Sequence, residues 1–116
     1  MRSLFFVLSL FLFTVVFAQD PVEQNPDIYK VLFENDEIRV IQVTYALGVK
    51  EKPHGHPRYV IKVIEGGRLM LYTDDADPVE TVVDSDQVLL LDPVKRHWAE
   101  NIGDTTVRII SVEYKE

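Results

Sequence analysis

The chain contains no cysteine among its 116 residues. Disulfide bonds, a thiol nucleophile and a lipid-modified cysteine are therefore excluded. Basic residues are also scarce, with 12 lysines and arginines against 19 acidic residues and a formal net charge of −7. This charge argues against binding to nucleic acid or to an anionic membrane surface.

Other patterns of known chemistry are missing as well. Neither Ser85 nor Ser111 lies in a G-x-S-x-G nucleophile motif, and no glycine-rich phosphate-binding loop occurs. No segment after residue 18 repeats apolar residues with a sustained helical period, so we predict almost no helix there. Function must therefore be sought in the β-rich part of the chain.

The N-terminal segment predicts export. Arg2 precedes an apolar run over residues 4–17, which ends in a small residue, as in a secretory signal peptide. The run is shorter than the roughly 20 residues of a spanning helix, and an uncleaved anchor is the alternative. We expect a secreted or periplasmic protein without membrane attachment in its mature form. The expected segments are a signal peptide over 1–18, a flexible N-terminal segment over 19–27 and one domain over 28–116.

The rest of the chain consists of short segments rich in β-branched residues. Turn signals such as Asn35-Asp36 and Gly66-Gly67 separate them, and we expect Gly66-Gly67 to close a hairpin. About seven or eight such segments predict an all-β, single-domain antiparallel jelly-roll β-barrel. The expected strands include residues 28–34, 37–47, 58–65, 68–73, 79–83, 87–91 and 106–114.

The three histidines of the chain lie in only two segments. His54 and His56 are two residues apart, so a β-strand would point both imidazoles to the same face. A later strand can bring His97 to the same place. Three convergent imidazoles form a metal site of the open kind, with positions left for water or a substrate.

At these residues the sequence resembles the cupin superfamily, and especially its small single-domain members. The first cupin motif is written G-x5-H-x-H-x3,4-E-x6-G. Gly48, His54, His56 and Gly67 match its spacing, whereas Val60 stands where the motif has glutamate. The resemblance implies a jelly-roll fold for nearly all of the chain after the N-terminal segments.

The second cupin motif supplies a further histidine and an asparagine, which match His97 and Asn101. The resemblance implies that His54, His56 and His97 bind a divalent transition metal. Because no carboxylate is present among these ligands, the site would favour Fe, Zn, Ni or Cu. Loss of the metal together with the glutamate is the alternative.

We expect the mouth of the barrel to bind a small organic ligand. Val60 should face the interior together with Lys62 if their strand is continuous. The alternative is a bulge after Pro57, which would turn Lys62 to water and Tyr59 inward. Asn101 would either hydrogen-bond a ligand histidine or form a turn. The expected apolar wall consists of Val40, Val60, Met70 and Leu89 or their neighbours.

Three functions remain open from the sequence. The first is an exported cupin whose metal site binds a small organic ligand and catalyses an oxygenase-type reaction, as the resemblance permits. The second is a binding module for a small ligand or metal, without turnover. The third is a dimeric structural protein with a vestigial site, and the resemblance makes a homodimer plausible in each case.

Overall fold

The computed structural model describes residues 19–116, so the expected signal peptide lies outside the described residues. Within this range the chain forms one short helix and nine strands. No helix of the described part is long and apolar enough to cross a membrane. The elements are α1 (Pro21–Gln24), β1 (Tyr29–Glu34), β2 (Ile38–Tyr45), β3 (His54–His56), β4 (Tyr59–Glu65), β5 (Gly67–Tyr72), β6 (Val79–Val83), β7 (Val88–Leu91), β8 (Val94–Asn101) and β9 (Val107–Tyr114).

The strands form two antiparallel sheets. One has five strands in the order β1-β2-β9-β4-β7, and the other has four in the order β3-β8-β5-β6. Alternate side chains of each strand point between the sheets, where Ile41, Val63 and Val107 are completely buried. This architecture confirms the predicted all-β jelly roll.

The expected hairpin at Gly66-Gly67 is wrong. β4 pairs with β7 and β9, whereas β5 pairs with β6 and β8, so the chain passes from one sheet to the other at this point. A side chain at Gly66 would collide with the backbone carbonyl oxygen of Val83. The two glycines therefore permit a close crossing of backbones rather than a hairpin turn.

Residues 19–27, which the sequence predicts to be flexible, contain α1 and make hydrogen bonds to the rest of the domain. Asp20 caps α1 by accepting a hydrogen bond from the Glu23 amide at 3.1 Å. Asn25, only 6% exposed, accepts a bond from the Lys52 amide at 2.7 Å and donates one to the Lys52 carbonyl at 3.1 Å. Polar composition predicted mobility here, but these long-range hydrogen bonds tie the segment to the domain.

Candidate metal centre

The three histidines converge at one end of the space between the sheets. His54 of β3 lies directly opposite His97 of β8, and the register shifts before His56. The ring centroids are 4.8 Å apart for His54 and His56, and 5.0 Å apart for each of the other two pairs. One nitrogen from each ring lies within 4.8 Å of the others, so the group could hold a metal ion. The expected convergence of the three rings is therefore confirmed.

Gly55, between the two histidines of β3, lets this strand approach β8 closely. A Cβ atom at this position would lie 2.6 Å from the carbonyl oxygen of Lys95 and 2.9 Å from that of Val94. The Gly55 amide donates to the carbonyl oxygen of Gln19 at 2.8 Å. Only glycine fits between the two inward histidines, because any side chain at position 55 would collide with the backbone of β8.

Two of the rings have a hydrogen-bond partner on Nδ1. His54 Nδ1 lies 2.8 Å from the carbonyl oxygen of Lys52, and His56 Nδ1 lies 3.0 Å from Glu113 Oε2. The Lys52 carbonyl oxygen only accepts hydrogen bonds, so His54 Nδ1 carries the proton and His54 Nε2 keeps its lone pair. The contact with Glu113 holds the His56 ring with Nδ1 towards that carboxyl group. Metal-binding histidines in proteins show this arrangement.

A further layer of contacts fixes those partners. Arg39 donates from Nη2 to Glu113 Oε1 at 2.8 Å and to Asp20 Oδ1 at 2.6 Å. Asn25 similarly holds the Lys52 backbone, whose carbonyl oxygen accepts the His54 bond. Residues 20–25 therefore help to orient both histidines of β3. Asp20 acts on His56 through Arg39 and Glu113, and Asn25 acts on His54 through the Lys52 backbone.

Burial keeps two of the imidazoles uncharged. The pKa of His54 falls to about 4, first because burial disfavours the charged form and then because of the neighbouring His56. The pKa of His97 falls to about 3 through burial and the proximity of the other two rings. Both rings are neutral at pH 7, which is the form that binds metals.

A buried carboxyl group lies on the Nε2 side of His54. Glu51 is 4% exposed and accepts hydrogen bonds from Tyr29 Oη at 2.7 Å and from the Ala99 amide at 2.9 Å. Glu51 Oε2 lies 3.6 Å from His54 Nε2, and Tyr29 Oη lies 3.2 Å from the same nitrogen. Burial raises the pKa of Glu51 to about 8 although these hydrogen bonds act to lower it. With both groups largely neutral at pH 7, the contact is not an ion pair.

His56 and His97 border a cavity of about 260 Å³ between the sheets. Tyr59 packs against the His56 ring with centroids 4.4 Å apart. The wall beyond the histidines is mainly aliphatic, with Ile61, Leu69, Leu71, Val83, Leu89 and Ile109 among its members. His54 is completely buried and lies behind this surface.

The structure corrects the expected orientation of β4. Tyr59 and Ile61 face the cavity, whereas Val60 has the opposite parity and Lys62 Nζ lies 3.7 Å from Asp86 Oδ1 at the surface. The reason is that β3 and β4 belong to different sheets, so strand alternation does not continue across Pro57. Of the two expected arrangements, the structure has the second, in which Tyr59 faces inward and Lys62 faces water.

Two expected wall positions also differ, whereas Asn101 takes one of its two expected roles. Val40 and Met70 alternate with the buried Ile41 and Leu69 and point out of the barrel, although Leu89 does line the cavity. Asn101 donates to the carbonyl oxygens of Tyr45 and Thr105, each at 2.9 Å, and accepts the Gly103 amide at 3.0 Å. Its role is that of a turn asparagine. Whether Tyr59 contacts a substrate stays a prediction.

Glu51 and Glu113 were missed as site residues by sequence reasoning. Glu51 belongs to a charged segment that suggested an exposed loop, and no sequence signal distinguishes it. Glu113 did carry a signal, because it shares strand parity with the apolar Val107 and Ile109. A polar residue on a buried face of a strand needs a partner, and here the partners are Arg39 and His56.

Comparison with known structures identifies the fold. A cupin domain from Bordetella pertussis Tohama I matches with a TM-score of 0.71 and 22% identity, covering 77% of this chain and 93% of that domain. A conserved protein with a double-stranded β-helix domain from Klebsiella pneumoniae matches with a TM-score of 0.60 and 21% identity, covering 75% of each chain. A cupin superfamily protein from Desulfitobacterium hafniense matches with a TM-score of 0.58 and 13% identity, covering 77% of each chain.

These likenesses show that the chain has the small cupin fold. No protein-family model matches the chain, and no curated protein matches it. The site that this fold carries is a group of three histidines that could hold a metal. Its donor set fits a transition metal, because neutral imidazoles with oriented Nδ1 hydrogens are suitable ligands for such ions.

Proposed function

We propose that this protein holds one divalent transition metal at His54, His56 and His97 and binds a small organic ligand in the adjoining cavity. The observation that carries the proposal is the convergence of three rings whose nitrogens lie within 4.8 Å of one another. Imidazole donors favour Fe, Zn, Ni or Cu over ions that prefer oxygen. When bound, such an ion supplies Lewis acidity and, if it is iron or copper, oxygen chemistry.

The chain's own residues prepare this site in two ways. The Lys52 carbonyl and the Glu113 carboxylate orient the rings of His54 and His56 before any ligand arrives. The aliphatic wall excludes bulk water from the cavity, which strengthens polar interactions near the histidines. The cavity lies against His56 and His97, so a ligand there would meet the metal position directly.

Metal analysis of protein purified without a histidine tag tests the proposal. We expect one transition metal per chain after loading, and loss of that metal in His97→Ala. Trp98→Ala is the matched control, because Trp98 follows on the same strand but stacks on Tyr72 with centroids 5.6 Å apart, away from the histidines. Equal metal content in His97→Ala and the wild type would refute the site.

Catalysis and simple binding share this site and need a separate experiment. We propose an oxygenase-type reaction as the function, with ligand binding without turnover as its competitor. Oxygen consumption by iron-loaded protein, measured with a panel of thiols and diketones, distinguishes them. Consumption that His97→Ala abolishes supports turnover, whereas ligand binding without consumption supports the binding module.

We also propose that the protein forms a homodimer through the outer face of the five-stranded sheet. An apolar row crosses all five strands through paired positions, spanning roughly 19 Å at the usual strand spacing. Its end members, Phe33 and Leu90, are 51% and 58% exposed. The row consists of Phe33, Val40, Val112, Val60 and Leu90.

A second copy of the chain suits this face better than an acidic or basic partner. The row carries no charge although the whole chain has a net charge of −7, and two copies can bury an uncharged face without bringing their charges together. A twofold axis would place the same patch on both subunits. Export of the chain remains a separate prediction, because the segment concerned lies outside the described residues.

A further inference from the structure

The cavity beside the histidines is lined by uncharged polar groups and apolar side chains. Besides the two histidines, its polar groups are three tyrosines, a threonine and a serine, and no lysine, arginine, aspartate or glutamate lines it. Away from the histidines, a charged part of a ligand would therefore lie in an apolar environment without a compensating charge, at a large cost in free energy. The volume of about 260 Å³ also lies below the roughly 300–1,000 Å³ of typical drug-sized pockets.

Ser111 supplies a hydroxyl group that the protein leaves unpaired. The residue is 3% exposed, and among residues 19–116 its Oγ has no hydrogen-bond partner. Its cross-strand neighbours are Ile41 on β2 and Ile61 on β4, both buried aliphatic residues. A buried hydroxyl without a partner is unfavourable and calls for a polar group from outside the protein.

The position of Ser111 relates it to the proposed metal. Glu113 is two residues further along β9, on the same face, and contacts His56 Nδ1 at 3.0 Å. Two residues along a strand correspond to roughly 7 Å. Ser111 therefore lines the cavity roughly 7 Å along β9 from Glu113, the residue that contacts His56.

We propose that the cavity selects a small, uncharged, mainly apolar organic molecule whose polar group hydrogen-bonds Ser111 Oγ. Building on the proposed function, the opposite end of the molecule faces the metal at the histidines. The uncharged wall disfavours amino acids, organic acids and phosphate esters. Ser111 determines specificity by preferring a ligand with a hydroxyl or carbonyl group over the same hydrocarbon without it.

Three aromatic probes of similar shape test this inference. p-Cresol carries a neutral hydroxyl, toluene has none, and 4-methylbenzoate is anionic. Binding to metal-free protein is followed by NMR titration for the wild type and for Ser111→Ala. We expect p-cresol to bind more tightly than toluene, and 4-methylbenzoate to bind more weakly than both. In Ser111→Ala the p-cresol affinity should fall about 3- to 10-fold, as for one hydrogen bond, while toluene affinity is unchanged or improved.

The thermal stability of the ligand-free variant separates recognition from a structural role. Removing an unpaired hydroxyl should leave the melting temperature of Ser111→Ala unchanged or raise it. A marked fall would show that Ser111 serves the fold and would overturn the inference. Binding of 4-methylbenzoate as tight as that of p-cresol, or no binding of any probe, would also overturn it.

Failure of this inference can be distinguished from failure of the proposed metal site. A protein that takes up metal, but binds p-cresol equally well with and without the Ser111 hydroxyl, refutes only the ligand inference. A protein that takes up no metal, but shows the expected loss in Ser111→Ala, refutes the metal proposal and supports selection of an uncharged ligand. The two results come from independent measurements.

Discussion

The carboxylate of Glu113 offers the sharpest test of how the site is held together. It is 3% exposed and accepts hydrogen bonds from Arg39 and from His56 Nδ1. Glu113→Gln keeps the shape of the side chain and removes its charge. The His56 ring then loses the group that fixes its tautomer and raises the basicity of its Nε2.

Two separate effects follow from this change, one on metal affinity and one on stability. Loss of such a partner weakens metal binding by about 10- to 100-fold, which corresponds to roughly 1.4–2.7 kcal/mol. In metal-free protein, Arg39 keeps its bond to Asp20 at 2.6 Å, and the glutamine oxygen can still accept one bond. We therefore expect the free energy of unfolding to fall by only about 1.5–3 kcal/mol, the value of one charged hydrogen bond.

Competition with a chromophoric zinc chelator gives the affinity, and urea denaturation of metal-free protein gives the stability. Glu100→Gln is the control, because Glu100 accepts a hydrogen bond from Tyr72 at 2.6 Å on the outer face of β8. This control should leave zinc affinity unchanged. If Glu113→Gln loses stability but binds zinc like the wild type, then His56 is not a ligand and the argument fails.

Further predictions concern pH, metal and assembly. In metal-free protein the free energy of unfolding should fall as pH drops from about 6.5 towards 4. The reason is that the folded-state pKa values of His54 and His97, about 4 and 3, lie below the unfolded value. Each histidine contributes up to about 1.4 kcal/mol per pH unit. Glu51, with its pKa raised to about 8, acts in the opposite sense from about pH 4.5 upwards, so denaturation measured across pH should show stability declining again towards pH 8. Zinc at 100 times its dissociation constant should stabilise the wild type by about 2.7 kcal/mol and leave His97→Ala unchanged in thermal denaturation. Light scattering should show a dimer for the wild type and a monomer for Leu90→Lys. Val82→Lys is the control and should stay dimeric, because Val82 is 60% exposed on the other sheet. A wild-type monomer would refute the interface.

Local patterns in the sequence were sufficient to predict most of the strands and the shared face of His54 and His56. The alternation of His54 and His56 survives because β3 is short and Gly55 lets it pair closely with β8. The position of His97 depends on long-range pairing, which the sequence alone does not specify. The resemblance to the cupin motifs supplied that pairing, because the spacing of those motifs placed His97 with His54 and His56.

The orientation of Val60 could not be predicted by counting residues from His56. Strand alternation holds only within a continuous strand, and the chain changes sheets at Pro57 and Arg58, between β3 and β4. Glu51 was hidden for a related reason. Its burial arises from Tyr45 on β2, and from Ala99 and Tyr29, which are distant from it in sequence.

Two buried carboxyl groups lie near the proposed metal site, which lacks the glutamate of the cupin motif. Position 60 points outward, so a carboxylate there could not reach the histidines in this structure. Glu113 instead delivers negative charge to His56 through a hydrogen bond, and the largely protonated Glu51 adds little charge beside His54. A metal held by these residues would keep most of its positive charge. The cavity lining beyond the histidines has no countercharge to offer, so it favours a ligand whose body is uncharged.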